Sequence, residues 1–180
     1  KDLRLLIIPL IIEQFLAVMV GMSDTVMVSF AGEAAVSGVS LVDMVNNVLI
    51  SLLAALATGG AVIISQFIGA RKNEDACIAA AQLELMTFTV SLIITVFTVV
   101  FAHPLISLLF GNIDNEVFEA SKQYLIITAI SFPMLAIYNS GAAIYRSIGD
   151  AKTSMKVSIL MNIINVGGNS IGIFVLHMGV

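Results

Sequence analysis

The sequence has few of the residues that a water-soluble chain needs. Only 11% of its 180 residues are charged, and no tryptophan is present, whereas average soluble domains carry about 25% charged residues. A single cysteine, Cys77, excludes an intramolecular disulfide. Because 59% of the residues are hydrophobic, the polar residues are too few to cover a soluble core. The composition therefore excludes a single water-soluble domain and predicts an integral membrane protein.

The residue patterns of a membrane enzyme are also missing. The sequence contains no His/Cys cluster with metal-ligand spacing, no phosphate-binding Gly-rich loop and no Ser/His/Asp arrangement. The two histidines, His103 and His177, lie at predicted outer ends of helices, where an interfacial position is expected. We therefore expect no enzymatic activity, no cofactor and no nucleic-acid partner.

Five apolar stretches are long enough to cross the hydrocarbon core of a bilayer, which takes roughly 20 residues. These predicted spans cover residues 5–30, 39–68, 76–101, 124–145 and 154–176. The intervening segment HPLISLLFG is apolar but too short to span, so we expect it to lie along the membrane interface. The predicted fold class is all-α, a polytopic transmembrane helix bundle.

Basic residues are distributed asymmetrically around these spans. Seven of the eight lie on the side of the N-terminus, and only Lys122 lies on the other side, together with acidic residues. Because segments rich in Lys and Arg stay in the cytoplasm, the N-terminus is predicted to be cytoplasmic. Arg146 is assigned to the cytoplasmic loop that follows the fourth span.

One carboxylate, Asp24, interrupts the apolar stretch VMVGMSDTVMVSF in the outer half of the first span. A charged Asp at the centre of a membrane helix costs roughly 2.5 to 3.5 kcal/mol on insertion scales. Five interpretations remain open: a bound cation, a proton, a water-filled cavity, structural hydrogen bonds to neighbouring helices, or a position nearer the outer surface than the predicted span places it. Asp24 is therefore the first candidate for a functional role.

Other polar or helix-bending residues of the first and fifth spans are weaker candidates. Glu13 lies about three helical turns before Asp24 on nearly the same face, and is either a second cavity-facing group or an interfacial residue. Asn165 and Asn169 are four residues apart, so their amides share one helix face. These amides can ligate a cation, bond Asp24, or hold helices together. Pro9 removes one backbone hydrogen bond and predicts a kink.

Two structural expectations concern the remaining polar and small residues. Asp43 and Glu84 lie near the ends of their predicted helices, so we expect water to solvate them. Small residues at Ser51, Ala55 and Gly59 recur every four residues on one face of the second span. Such a row predicts a seam where another helix packs closely.

Three segments together resemble the N-terminal half of multidrug and toxic compound extrusion (MATE) transporters. They are IPLIIEQFLAVMVGMSDTVMVSFAGEAAVSGVSLVD, GGAVIISQFIGARK and GAAIYRSIGDAKTSMKVSILMNIINVGGNSIGIFVLHMG. Their order and spacing carry the resemblance, which extends over essentially the whole chain. The chain is thus identified as helices 1 to 5 of the six-helix N-terminal lobe of such a transporter.

The resemblance implies a twelve-helix transporter with two pseudo-symmetric lobes. We therefore expect this chain to be a piece of a longer polypeptide, with the remaining lobe as its partner. The family exports cationic or amphipathic small molecules across the plasma membrane, or the inner membrane of a cell with two membranes. The resemblance implies exchange for protons or sodium ions by alternating access.

By the same resemblance, Asp24 matches the aspartate on which ion coupling in this lobe is thought to depend. Asn165 and Tyr124 match members of its polar cluster, and Pro9 matches the proline at which the first helix is proposed to bend. Asn169 stands where some members carry a second aspartate. This difference leaves one carboxylate in the cluster and weakens the case for a sodium ion at Asp24.

Two other functions remain open from the sequence. A lipid-linked saccharide flippase of the same broader superfamily would share the fold, and a substrate assay with dye and lipid-linked sugar separates it from a drug exporter. A non-transporting membrane assembly or channel-like subunit would show complex formation or conductance but no exchange of ions for drugs.

Overall fold

The computed structural model describes residues 4–29, 32–111 and 113–171. The described residues form six α-helices, and every regular element among them is helical. The helices are α1 Arg4–Ser29, α2 Glu33–Gly69, α3 Asn73–Val100, α4 Ala102–Phe110, α5 Asn115–Ser147 and α6 Ala151–Ser170. The all-α prediction is therefore confirmed.

Each predicted span corresponds to one long helix, but the ends differ. α2 begins at Glu33 instead of residue 39, and α5 begins at Asn115 instead of residue 124. The first turns of α5 are polar, and a hydropathy window detects only the apolar part of a helix. The predicted end of the fifth span at residue 176 lies outside the described residues. The short segment between the third and fourth spans forms α4.

Apolar length distinguishes the helices. Among the described residues, three segments are long and apolar enough to cross a membrane: Ala35–Gly69, Asn73–Val100 and Asn115–Ser147. A shorter apolar segment, Ile7–Ser23, lies within α1. Large apolar side chains on these helices are exposed, as expected for surfaces that face lipid.

Helix α5 lies at the centre of the described bundle. It packs against α2, α3, α4 and α6, while α1 packs mainly along α6 and less against α2. Small buried side chains on α5, such as Ala129, Ala136 and Ser140, let neighbouring backbones approach closely. Phe132 and Leu53 fill the core between α5 and α2.

Close approach of α2 to its neighbours occurs at two glycines. A Cβ atom on Gly38 would lie 3.0 Å from the Ser121 backbone nitrogen of α5, and one on Gly60 would overlap the Leu83 side chain of α3. By contrast, Ser51, Ala55 and Gly59 are exposed in the described bundle. The predicted seam is therefore wrong for the described residues, because the row faces outward and the contacts lie on another side of α2.

The turn between α5 and α6 uses residues with defined backbone roles. Gly149 adopts a left-handed conformation with φ of 85°, which glycine reaches without steric cost. Asp150 then caps α6 by accepting hydrogen bonds from the Thr153 hydroxyl at 2.6 Å and the Thr153 backbone N–H at 3.2 Å. These hydrogen bonds, that from the hydroxyl first, lower the pKa of Asp150 below its ordinary value of 3.8.

Candidate functional site

The predicted site residues lie on three helices. Pro9 is a buried residue within α1, Tyr124 belongs to α5, and Asn165 is an exposed residue of α6. Asp24 lies on α1 and Asn169 on α6, but their side chains are outside the described part of the chain. Each residue lies on the helix that corresponds to its predicted span, but Tyr124 lies well within α5 and not at its start. The predicted contact of Asp24 with the two asparagines stays a prediction.

Glu13 lies in a cluster of polar side chains that joins α1, α5 and α6. We call Glu13, Tyr138, Arg146 and Ser154 the Glu13 cluster. Arg146 Nη1 lies 3.3 Å from Glu13 Oε1, and the Ser154 hydroxyl lies 3.3 and 3.2 Å from the two carboxylate oxygens. The Tyr138 hydroxyl donates to Glu13 Oε1 at 3.4 Å. Glu13 therefore connects three helices that are distant in sequence.

Local structure explains how Arg146 and Ser154 reach the same carboxylate. Arg146 lies in the last turn of α5, since this helix continues to Ser147 and not only to the predicted residue 145. Ser154 lies in the first turn of α6, and the tight turn at Gly149 brings the two helix ends together. Arg146 Nη1 accordingly lies 3.3 Å from Ser154 Oγ. The predicted loop position of Arg146 is corrected to a helical one.

Burial gives the Glu13 cluster a weakly solvated environment. The Glu13 and Arg146 side chains are 16% and 31% exposed, and Ser154 is 1% exposed. The opposite charges compensate each other, which a partly buried carboxylate requires. Tyr138 also shares a hydrogen bond with Ser158, one turn beyond Ser154 on α6. The cluster is suited to hold α1 in place.

A second group of polar side chains lies in the N-terminal halves of α2 and α5. The Tyr124 hydroxyl donates to Asp43 Oδ1 at 3.1 Å, and the Asn46 amide lies 3.2 Å from the Thr128 hydroxyl. Asp43 is half-buried, so the expectation that water alone solvates it is wrong. The same holds for Glu84, which accepts a hydrogen bond from Ser140 at 2.9 Å.

Asp43 faces a cavity of about 290 Å³ between α1, α2 and α5, which we call the outer cavity because the predicted topology places this end outside the cell. Its polar lining residues are Thr25, Ser40, Asp43, Asn47 and Tyr124. Asp43 is absent from the site residues predicted from the sequence. The spacing of Ser40, Asp43 and Asn47 at three and four residues was the available signal, because it places all three on one helix face.

Two buried amides add to the polar character of the bundle interior. Asn139 Nδ2 on α5 and Asn162 Nδ2 on α6 have no hydrogen-bond partner among the described residues. Asn162 continues the row formed by Ser154 and Ser158 at intervals of four residues. Buried donors of this kind require an acceptor, such as water or a bound solute. The described residues contain no group of three or more His, Cys, Asp or Glu side chains that suits a metal ion.

Comparison with known proteins identifies relatives of the chain. The MatE family model matches residues 9–171. The "Uncharacterized transporter YisQ" of Bacillus subtilis is 32% identical to this chain, and the match covers 92% of this chain and 36% of the relative's length. The "Probable multidrug resistance protein NorM" of Thermotoga maritima is 29% identical, covering 92% of this chain and 35% of its own length.

The fold of the chain also matches that of a solved transporter structure. A solved outward-facing multidrug resistance MATE family transporter of the MOP superfamily superposes with a TM-score of 0.90 at 25% identity. The match covers 97% of this chain and 38% of that transporter, so the chain spans little more than a third of it. The family model covers most of the chain, and its members are multi-pass membrane transporters and not enzymes. The chain therefore belongs to the MatE family.

Proposed function

We propose that this chain forms part of a secondary antiporter that exports cationic or amphipathic compounds by alternating access. The observation that carries the proposal is the match of residues 9–171 to the MatE family. It is supported by the relative named as a probable multidrug resistance protein and by the likeness to a multidrug resistance transporter. Neither relative's name supports the flippase or assembly-subunit alternatives. The activity belongs to the whole polypeptide, which includes the remaining lobe.

Ion coupling is assigned to Asp24, with Asn165, Asn169 and Tyr124 as its polar neighbours. The packing of α1 against α6 supports this assignment. Glu13 of α1 contacts Ser154 of α6, and the C-terminal part of each helix extends beyond this contact. Asp24 lies eleven residues beyond Glu13, and Asn165 lies eleven residues beyond Ser154. Since both helices rise about 1.5 Å per residue, Asp24 and Asn165 are expected at the same depth.

The contacts of Glu13 also favour Asp24 as the coupling residue. Arg146 compensates the charge of Glu13, so Glu13 has a charge partner that belongs to the protein itself. A coupling group must instead exchange its proton or sodium ion between the two states of the cycle. Within α1, this role falls to Asp24, while Pro9 supplies a bending point.

The test is ion-driven efflux by the full polypeptide in proteoliposomes. Asp24→Asn is expected to abolish substrate efflux driven by a proton or sodium gradient, because the amide cannot carry the charge. Imposing each gradient separately on the parent protein identifies the coupling ion. Glu116→Gln, at an exposed position of α5, is the matched control and should transport like the parent protein. Undiminished efflux by Asp24→Asn would contradict the assignment.

A further inference from the structure

Asp43 gives the outer cavity a negative charge that ion coupling at Asp24 does not explain. Its carboxylate is oriented by the Tyr124 hydroxyl at 3.1 Å and lies on the cavity side of α2. None of the cavity's described lining residues is Lys, Arg or His. The described lining is therefore acidic, and an anionic solute is disfavoured there.

The other lining groups match the chemistry of an ammonium ion. The hydroxyls of Thr25 and Ser40 and the side-chain carbonyl of Asn47 can accept hydrogen bonds from N–H donors. The ring of Tyr124 offers an aromatic surface, which attracts cations through its quadrupole. Gly21 and three valines complete the lining, and the valines provide apolar contact for carbon substituents.

Size and ligand geometry restrict the occupant further. The cavity volume of about 290 Å³ lies just below the roughly 300–1,000 Å³ that drug-sized ligand sites occupy. Divalent metal ions are bound by several oxygens, commonly from more than one carboxylate. The described residues hold no group of three acidic or other metal-binding side chains. These properties disfavour a divalent metal ion, and the apolar contact from the valines favours a compact organic cation.

We propose that the outer cavity binds a small organic ammonium ion through Asp43, with Tyr124 as the residue that orients the carboxylate. The inference deepens the proposed exporter function, on which it rests, by naming where a cationic cargo is recognised. It assigns recognition to α2, whereas ion coupling is assigned to α1. Tyr124 belongs to both assignments, so mutation of the two carboxylates, Asp24 and Asp43, is what separates the roles.

The test measures binding of benzylammonium to the purified full polypeptide by titration calorimetry at neutral pH. Benzyl alcohol serves as the uncharged comparison ligand. Asp43→Asn is expected to weaken benzylammonium binding by roughly tenfold or more, equivalent to about 1.4 kcal/mol, and to leave benzyl alcohol binding unchanged. Asn47→Asp adds a second carboxylate one turn away and should tighten benzylammonium binding. Glu116→Gln, outside the cavity, controls for the general surface charge.

Three results would overturn the inference. They are an unchanged benzylammonium affinity in Asp43→Asn, an equal loss for benzyl alcohol in Asp43→Asn, or an equal loss of benzylammonium affinity in Glu116→Gln. If Asp43→Asn fails to fold, the affinity of Asn47→Asp decides the matter alone. The Asp24→Asn efflux assay distinguishes the two proposals. Lost efflux in that variant with normal cation binding in Asp43→Asn refutes only the binding site.

Discussion

The ion pair between Glu13 and Arg146 should contribute measurably to the stability of the bundle. At an effective dielectric constant of about 20, opposite charges 3.3 Å apart attract by about 5 kcal/mol. Desolvation of both groups offsets most of this attraction. Exposed pairs are worth about 0.2–1 kcal/mol, while breaking a fully buried pair costs about 3–5 kcal/mol.

The observed burial places this pair between those limits. Because the Glu13 and Arg146 side chains keep 16% and 31% of their exposure, we expect a coupling energy of about 1–2 kcal/mol. The measurement is a double-mutant cycle with Glu13→Gln, Arg146→Gln and the double variant. Each free energy of unfolding is determined by reversible detergent titration of the full polypeptide.

The chain offers a matched control for this cycle. Lys122 and Glu119 lie 3.6 Å apart on the first turns of α5, with side chains 35% and 63% exposed. Their coupling energy should not exceed about 0.5 kcal/mol. Additive effects of the Glu13 and Arg146 substitutions, or a coupling no larger than that of the control pair, would refute the reasoning.

Three further predictions concern packing, topology and pH. Gly38→Ala should lower the free energy of unfolding by about 1–3 kcal/mol, because the new Cβ lies 3.0 Å from the Ser121 backbone. The Cβ atom of Gly59→Ala meets no atom within 4 Å, so this variant should leave the free energy of unfolding unchanged or raise it by up to about 1 kcal/mol. Equal effects of Gly38→Ala and Gly59→Ala in thermal unfolding would contradict the close packing at Gly38. If the N-terminus is cytoplasmic, the exposed Cys77 should react with a membrane-impermeant maleimide only after the cells are opened. Labelling of Cys77 in intact cells would contradict the predicted orientation. The lowered pKa of Asp150 means that its capping of α6 contributes stability above the ordinary pKa and loses it as pH falls through the lowered one. Thermal stability should therefore fall on acidification below about pH 4, and less so in Asp150→Ala.

Sequence periodicity and hydropathy predicted helix positions better than helix ends. The apolar stretches sufficed because bilayer hydrocarbon leaves a helix as the main way to satisfy the backbone of such a segment. The polar first turns of α5 escaped detection because they extend beyond the apolar stretch. A similar error at the other end of α5 placed Arg146 in a loop, so the sequence did not identify it as the partner of Glu13.

Contacts between distant parts of the chain explain which polar residues the sequence ranked wrongly. Asp43 looked solvated because it lies near a helix end, yet it accepts a hydrogen bond from Tyr124, 81 residues away. The row at Ser51, Ala55 and Gly59 looked like a packing seam, yet it is exposed in the described bundle. Residue spacing within one helix shows which side chains share a face, but not which neighbour that face meets.

The sequence by itself determined the membrane class, the all-α fold and the family resemblance, since these depend on local composition and on motif order. It also singled out Asp24, because a carboxylate in an apolar stretch is conspicuous without any structure. Only the tertiary structure decided that Glu13 meets Arg146 and that Asp43 faces a cavity. Both depend on how α1 and α2 pack against α5 and α6, and packing brings together groups whose separation along the chain carries no local signal.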